Sequence, residues 1–170
     1  SYSNNISISG GSDKTTYYAS FGITNNNGTA KGNDSKSYQG SVNVNTVFWD
    51  KLQFSAKIAG SVSKTSGFHN SVAPYSYAST TSRVLPAFED NGELAYYQTR
   101  EGYKFNVLNE LAESGNENTS NSLNVNVSLN WEILKGLKYE MSLGYGYSST
   151  HGESWATEMT NYIAKIRGYE

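Results

Sequence analysis

The chain contains no cysteine, only two prolines and no long apolar run. Without cysteine there is neither a disulfide framework nor a thiolate metal site. The longest apolar stretch is Leu94-Ala95-Tyr96-Tyr97, far below the roughly 20 residues that a membrane-spanning helix needs. Charge is scarce as well, because 13 Lys and Arg against 15 Asp and Glu give a net charge of −2. This balance leaves no basic footprint for nucleic acid.

Asparagine, serine and aromatic residues are abundant in this chain. The 170 residues include 19 Asn and 25 Ser beside 14 Tyr, 6 Phe and 3 Trp. So many aromatic residues argue against a disordered chain. The chain does not begin with Met and has no signal peptide, so we expect a processed protein or a piece of a longer one.

Apolar and polar residues alternate along most of the chain, as they do in a β-strand with two different faces. Ile6 and Ile8 mark a first strand, and a weaker last strand is expected from about Trp155 to Ile166. The only helical signal is a possible turn near Val107 to Ala112. Between these points, strict alternation covers 15–24, 38–48, 52–63, 123–133 and 137–147. The sequence therefore predicts an all-β, antiparallel meander of long strands.

The two faces fit two kinds of β protein about equally well. The strands exceed the ~5–6 residues of a usual globular strand and match the ~9–11 of a membrane barrel. Their polar faces hold Asn, Ser, Gln, Lys and Glu, while aromatic residues lie near the ends of the apolar faces. An outer-membrane barrel has an apolar outer band, aromatic girdles and a polar lumen. A soluble sandwich would bury the same apolar face as its core.

The lengths of the connections favour the barrel. Short turns at 10–14, 49–51 and 135–136 alternate with long links at about 25–36, 64–121 and 149–155, as at the periplasmic and extracellular rims of a barrel. Strand direction requires zero or two further spanning strands within 64–121, and zero is simpler. Six or seven strands are too few for a closed membrane barrel. We therefore expect 1–170 to be a partial barrel segment with one long extracellular loop.

Several stretches resemble the SusC/RagA family, the TonB-dependent outer-membrane transporters of Bacteroidetes. The run from Asn5 to Gly22 is similar to the start of the barrel in that family. The stretch Phe105-Asn106-Val107-Leu108-Asn109-Glu110-Leu111, the strand 123–131 and the segment 134–139 follow in the family's order. So does 81–92. The family often carries Arg around 37–45, where this chain has Lys36 and Gln39.

The resemblance implies a function and a set of partners. It implies an outer-membrane location in a Gram-negative bacterium, uptake of oligosaccharides or peptides, and contact with membrane lipid and a SusD-like surface lipoprotein. TonB would act through a plug and a TonB box, and no part of 1–170 matches either of them. The alternative interpretation is a secreted soluble β-sandwich that binds carbohydrate through the 64–121 loop.

No residue pattern points to catalysis, a metal or a cofactor. His69 and His151 lie far apart in predicted loops, whereas a metal site needs clustered donors. The run Asp90-Asn91-Gly92-Glu93 lacks EF-hand spacing and is interpreted as a turn. Glu132 and Glu140 lie on adjacent polar faces, where charges lining a wet lumen explain them better than acid–base chemistry. We therefore predict that the chain is not an enzyme.

The long loop is the candidate site for ligand or partner contact. Flat aromatic rings can stack on sugars, and arginine can pair with acidic groups. The same residues could instead pack the loop against its neighbours, or contact the lipoprotein that the resemblance implies. The candidate residues are Phe68, Tyr75, Tyr77, Arg83, Phe88, Tyr96 and Tyr97.

Overall fold

The computed structural model describes residues 1–30, 32–98 and 104–167. Its strands are β1 (Tyr2–Gly11), β2 (Thr15–Asn27), β3 (Asp34–Phe48), β4 (Leu52–Gly67), β5 (Tyr97–Gln98), β6 (Lys104–Phe105), β7 (Ser114–Leu134) and β8 (Leu137–Ala156). Its helices are α1 (Pro74–Thr80), α2 (Val107–Glu113) and α3 (Asn161–Arg167).

Six long strands form one sheet in the order β1-β2-β3-β4-β7-β8, and β5 pairs with β6 separately. Every long strand is hydrogen-bonded to the next long strand along the chain, and β4 pairs directly with β7. The sheet is not closed, because β1 and β8 are its two edges. These observations confirm the predicted all-β antiparallel meander and agree with a partial segment of a barrel.

The chain divides into two compact units, described separately below. The sheet unit contains 1–26, 35–64 and 119–151. The loop unit contains 27–34, 65–118 and 152–170.

Short turns set the strand register in the sheet unit. Gly136 has a φ of 90°, the left-handed backbone that glycine adopts without a Cβ penalty. Only Lys135 and Gly136 separate β7 from β8, and so short a turn fixes the register of a hairpin. Farther along the same hairpin, the hydroxyls of Ser120 and Thr150 lie 3.0 Å apart, so one register holds for many residues. The hydroxyls of Ser61 and Ser122, 2.8 Å apart, fix the β4–β7 register in the same way.

The two faces of the sheet unit differ in polarity and are both open. Ile6 is 71% exposed and Leu143 is 60% exposed, although both belong to the apolar alternation. A soluble sandwich would bury these side chains under a second layer. Their exposure therefore gives no support to the sandwich, and it fits a wall with apolar residues on one side and polar residues on the other.

The predicted last strand at 155–166 is wrong. Trp155 belongs to β8, and 161–167 is helix α3. Gly115 of β7 lies directly against the indole of Trp155, since a Cβ added to that glycine would meet the ring at 2.5 Å. The pairing of β7 with β8 therefore continues beyond the residues that show apolar alternation. The link predicted at 149–155 is strand for the same reason. Tyr162, Ile163 and Ile166 have helical spacing that was misinterpreted as alternation.

The strands extend beyond their predicted ends at the long connections. β4 continues to Gly67 and β7 begins at Ser114, so 68–113 lies between them. The added residues are mostly Asn, Ser, Thr, Gly and Glu, which give no apolar alternation. Backbone pairing extends a strand whatever its side chains are. The predicted helical turn near Val107 to Ala112 is confirmed as α2.

Candidate functional site

The polar face of the sheet unit forms a shallow depression of about 360 Å³. Hydroxyl and amide side chains supply most of its polar lining, and they come from five successive strands of the sheet. Two hydroxyl pairs join neighbouring strands, Ser20 to Ser41 and Ser61 to Ser122, each at 2.8 Å. Such a surface offers uncharged hydrogen-bond donors and acceptors. The polar residues that line it are Asn5, Ser20, Gln39, Ser41, Ser61, Ser122 and Asn124.

Charged residues gather at the short-turn end of the same unit. Glu132 and Glu140 line a second polar depression there, together with Lys51 and Lys138. Beside them an ion pair of 3.1 Å joins Lys14, in the turn between β1 and β2, to Asp50, in the turn between β3 and β4. The carboxylates thus lie among lysines on an open surface, which is the environment of a solvated charged rim.

The loop unit pairs several of the predicted aromatic residues with other rings. Phe68 and Tyr75 meet edge to face, with centroids 6.3 Å apart and planes at 78°. Tyr77 lies 5.4 Å from Phe105. His69 lies 4.8 Å from Tyr162, a contact that the sequence analysis did not anticipate. Within these pairs the rings contribute to packing inside the loop unit, while Tyr75 stays 58% exposed.

Three more of the predicted contact residues have exposed side chains. Arg83, Phe88 and Tyr96 are exposed. Phe88 forms an isolated antiparallel bridge with Leu94, and the predicted turn at 90–93 lies inside that bridge. The side chain of Tyr97 lies outside the described part of the chain.

Asn106 is a buried side chain of the loop unit that makes three hydrogen bonds, a role that the sequence did not reveal. It is 1% exposed, and its Nδ2 donates to the carbonyl of Ala87 at 3.0 Å and to that of Ala95 at 2.6 Å. Its Oδ1 accepts from the amide of Leu108 at 2.9 Å, which caps α2. One amide thus joins both sides of the Phe88–Leu94 bridge to a helix. The only sequence signal was an Asn directly before a short apolar run, typical of a cap.

A second set of buried polar groups joins α2 to α3. Asn109 Nδ2 donates to the carbonyl of Met159 at 2.9 Å. Glu110 is 3% exposed, and its Oε1 accepts from the amide of Asn161, the first residue of α3, at 3.0 Å. Ser114 Oγ donates to the Glu110 carbonyl at 2.5 Å. Polar residues outnumber apolar ones among the buried residues that the structure describes, where only Val72 and Ala95 are apolar.

Burial raises the pKa of Glu110 above its ordinary value of 4.5, and hydrogen bonds from the Asn161 amide and from Asn109 oppose part of that shift. The folded loop unit therefore holds the Glu110 proton more tightly than the unfolded chain does. Where the folded state binds more protons, stability falls as pH rises. The contribution of Glu110 is thus most favourable below pH 4.5 and declines as pH rises through the raised pKa.

We expect Glu110→Gln to flatten this pH dependence, because an amide oxygen keeps the Asn161 hydrogen bond without a charge to desolvate. Hydrogen exchange of the α2 and α3 amides, corrected for intrinsic rates, measures it between pH 4.5 and 8. The parent should lose protection with rising pH, and Glu110→Gln should not. Glu93→Gln, at an exposed turn residue, serves as the control and should behave like the parent. Parent protection that rises with pH would contradict this assignment.

Neither a metal centre nor a membrane-spanning helix is found among residues 1–30, 32–98 and 104–167. No group of three or more His, Asp or Glu side chains in those ranges could hold a metal ion. No helix in the same ranges is long and apolar enough to cross a membrane.

An open antiparallel sheet of long strands, apolar on one face and polar on the other, is the architecture of a barrel wall. Among solved structures, the chain is similar to one described as the structure of the RagAB peptide importer in the "closed-closed" state. The match has a TM-score of 0.72 and 25% identity. It covers 89% of this chain and 18% of that chain, so the present chain spans less than a fifth of its neighbour.

The sequence comparisons add no further relative. No known protein family matches the chain, and no curated protein matches it significantly. The structural neighbour is described as a peptide importer. It agrees with the resemblance to the SusC/RagA family at the level of the fold of this segment.

Proposed function

We propose that this chain is a barrel segment of a TonB-dependent outer-membrane transporter of the SusC/RagA type, which imports oligosaccharides or peptides. The observation that carries the proposal is the exposed apolar face of the sheet unit, opposite a face of hydroxyls and amides. Exposed contiguous apolar surface of this extent marks an interaction or membrane surface. In a barrel wall that surface meets lipid, and the polar face lines the lumen.

The segment contributes wall and lumen lining and does not drive transport alone. The polar depression across β1, β2, β3, β4 and β7 presents uncharged donors and acceptors to a hydrated solute. Outer-membrane barrels have short turns on the periplasmic side. The charged rim at the short turns would therefore lie at the periplasmic end of the barrel. Energy coupling through TonB would act on a plug encoded outside 1–170.

We also propose that the connection 68–113 is extracellular and takes part in ligand or lipoprotein contact. Tyr75, Arg83, Phe88 and Tyr96 offer exposed side chains for this purpose. Phe68 and Tyr77 are half-buried and pack against other rings, so their role is to hold the loop in shape. The neighbour in the structure comparison is titled a peptide importer, which favours a peptide as ligand over an oligosaccharide.

Site-directed labelling of the full-length protein in outer-membrane vesicles tests the proposal. This chain has no cysteine of its own, so single replacements give a clean signal from this segment. Leu143→Cys should react with a membrane-confined reagent and resist a water-soluble maleimide. Ser142→Cys, the preceding residue on the opposite face of β8, should show the reverse preference.

The matched pair separates a lipid-facing wall from a soluble fold. Because the two positions are adjacent, they share depth, strand and expression context. Equal reaction of both cysteines with the water-soluble reagent would contradict the membrane assignment. Protection of Leu143→Cys from both reagents would indicate a second protein layer and would contradict it equally.

A further inference from the structure

Two glycines on the apolar face of the sheet unit leave a trough between larger side chains. Gly40 of β3 and Gly60 of β4 line the same depression of about 480 Å³, where Phe21, Tyr38, Val62, Leu123 and Tyr147 supply the walls. A neighbouring depression of about 790 Å³ shares Phe21, Gly40, Gly60 and Leu123 and extends to Ile6 and Ile8. Both volumes fall in the about 300–1,000 Å³ range of small-molecule sites.

Strand register continues this trough toward two lysines. Side chains two residues apart in a strand share a face. Lys36, two residues before Tyr38, and Lys64, two residues after Val62, therefore lie on the apolar face. Both lysines are exposed, and the Lys36 Nζ lies 5.3 Å from the centroid of the Tyr38 ring. Tyr38 and Val62 line the same depression, which places the lysines beyond one end of it on adjacent strands.

Two further polar residues extend the row of lysines. The Ser61–Ser122 contact sets Lys64 opposite Thr119, and the Ser120–Thr150 contact sets Thr119 opposite His151. Lys64 and His151 also interact with other groups of the protein, and the row contributes its position and its charge to the site. The row lies toward the long-connection ends of the strands, whereas Lys14 and Lys51 lie at the short turns.

We propose that the trough and the lysine row bind one outer-leaflet lipid whose headgroup carries phosphate. An acyl chain would lie over Gly40 and Gly60, and the phosphate would contact Lys36 and Lys64. Asp34, Glu117 and Glu153 lie one step farther along the same face of β3, β7 and β8, so the two lysines are the first charges beyond the trough. Charge complementarity favours this occupant, because basic residues at a membrane surface attract anionic headgroups. The inference rests on the proposed function, since it needs the apolar face to meet the membrane.

Native mass spectrometry of the full-length protein, purified in mild detergent, measures the binding. The probes are diphosphoryl lipid A, the same lipid with its phosphates removed, and inorganic phosphate. Each lysine near an anionic surface is worth about fivefold in affinity, so Lys36→Gln with Lys64→Gln should weaken diphosphoryl lipid A binding roughly 25-fold. The double variant should bind the dephosphorylated lipid as the parent does.

Matched controls come from the same strand. Lys57 lies on the opposite, polar face of β4, so Lys57→Gln should bind both lipids as the parent does. Gly60→Leu should fill the trough and weaken both lipids, whereas Ala56→Leu, outside the trough on the same face, should not. A Cβ at Gly60 meets its nearest atom, the Ser122 carbonyl oxygen, at 3.4 Å, so the backbone accepts a side chain there.

The outcomes separate the possible errors. Loss of lipid binding in Lys57→Gln to the same extent as in the double variant would overturn the site, as would an unchanged double variant. Full displacement of the lipid by inorganic phosphate would indicate an ion site and would overturn the lipid. If these results occur while Leu143→Cys still reacts with the membrane-confined reagent, the lipid site is wrong and the transporter assignment stands. If Leu143→Cys is not labelled, both are wrong.

Discussion

Asn106→Asp should open the 68–113 connection by disrupting the loop unit. The carboxylate cannot donate to the carbonyls of Ala87 and Ala95, and it would place a negative charge against both oxygens. Leaving buried groups unsatisfied costs about 1–3 kcal/mol each, so we expect a loss of roughly 3 kcal/mol or more in local stability. Limited proteolysis of the full-length protein should then cleave this connection about 100-fold faster, since ~1.4 kcal/mol is a factor of ten.

Asn91→Asp is the control for this change. Asn91 is also an asparagine of the same connection, but it is exposed and makes its hydrogen bonds to Glu93 within one turn. Its replacement should leave the cleavage rate within a few-fold of the parent. Equal acceleration by both variants would show that the negative charge alone, and not the buried amide, determines the effect.

Leu143→Arg should destabilise the membrane-inserted full-length protein. Leu143 lies in the middle of the apolar stretch of β8 and is one of its most exposed side chains. An arginine on the lipid face near the bilayer midplane costs about 2–4 kcal/mol. Folding into lipid vesicles, followed by urea titration and by the shift of the unheated band in gel electrophoresis, gives the unfolding free energy.

Ser142→Arg tests whether the cost comes from lipid. The same side chain on the polar face should change the unfolding free energy by less than about 1 kcal/mol, because it projects toward water. A large loss for Ser142→Arg with no loss for Leu143→Arg would reverse the assignment of the faces. Equal small losses would argue for a soluble sheet.

Alternation in the sequence predicted the sheet well because strand periodicity is local. Leu123 to Ile133 and Leu137 to Tyr147 needed only their own two-residue period and one Lys135-Gly136 turn to be assigned correctly. The same logic failed at Trp155 to Ile166. There the backbone extends β8 and then turns into α3, with the Thr160 hydroxyl accepting from the Ile163 amide at 3.3 Å.

The candidate contact residues were only partly predictable. Composition correctly identified an aromatic-rich connection, yet it gave no way to separate Tyr77, which packs on Phe105, from the exposed Tyr75. The hydrogen bonds of the Asn106 amide could not be predicted from the sequence either, because its partners Ala87 and Ala95 lie many residues away and share no pattern with it.

By itself the sequence determined the class of the fold, the two faces of the sheet and the absence of cysteine chemistry. Each of these depends on local spacing or composition, which the chain carries whatever its neighbours are. The tertiary structure decided three other features: how far the strands extend into Asn- and Ser-rich sequence, which polar groups hold the loop unit together, and that Gly40 and Gly60 line one depression. These depend on register between distant strands and on hydrogen bonds between distant residues, and neither can be predicted from the local pattern of residues.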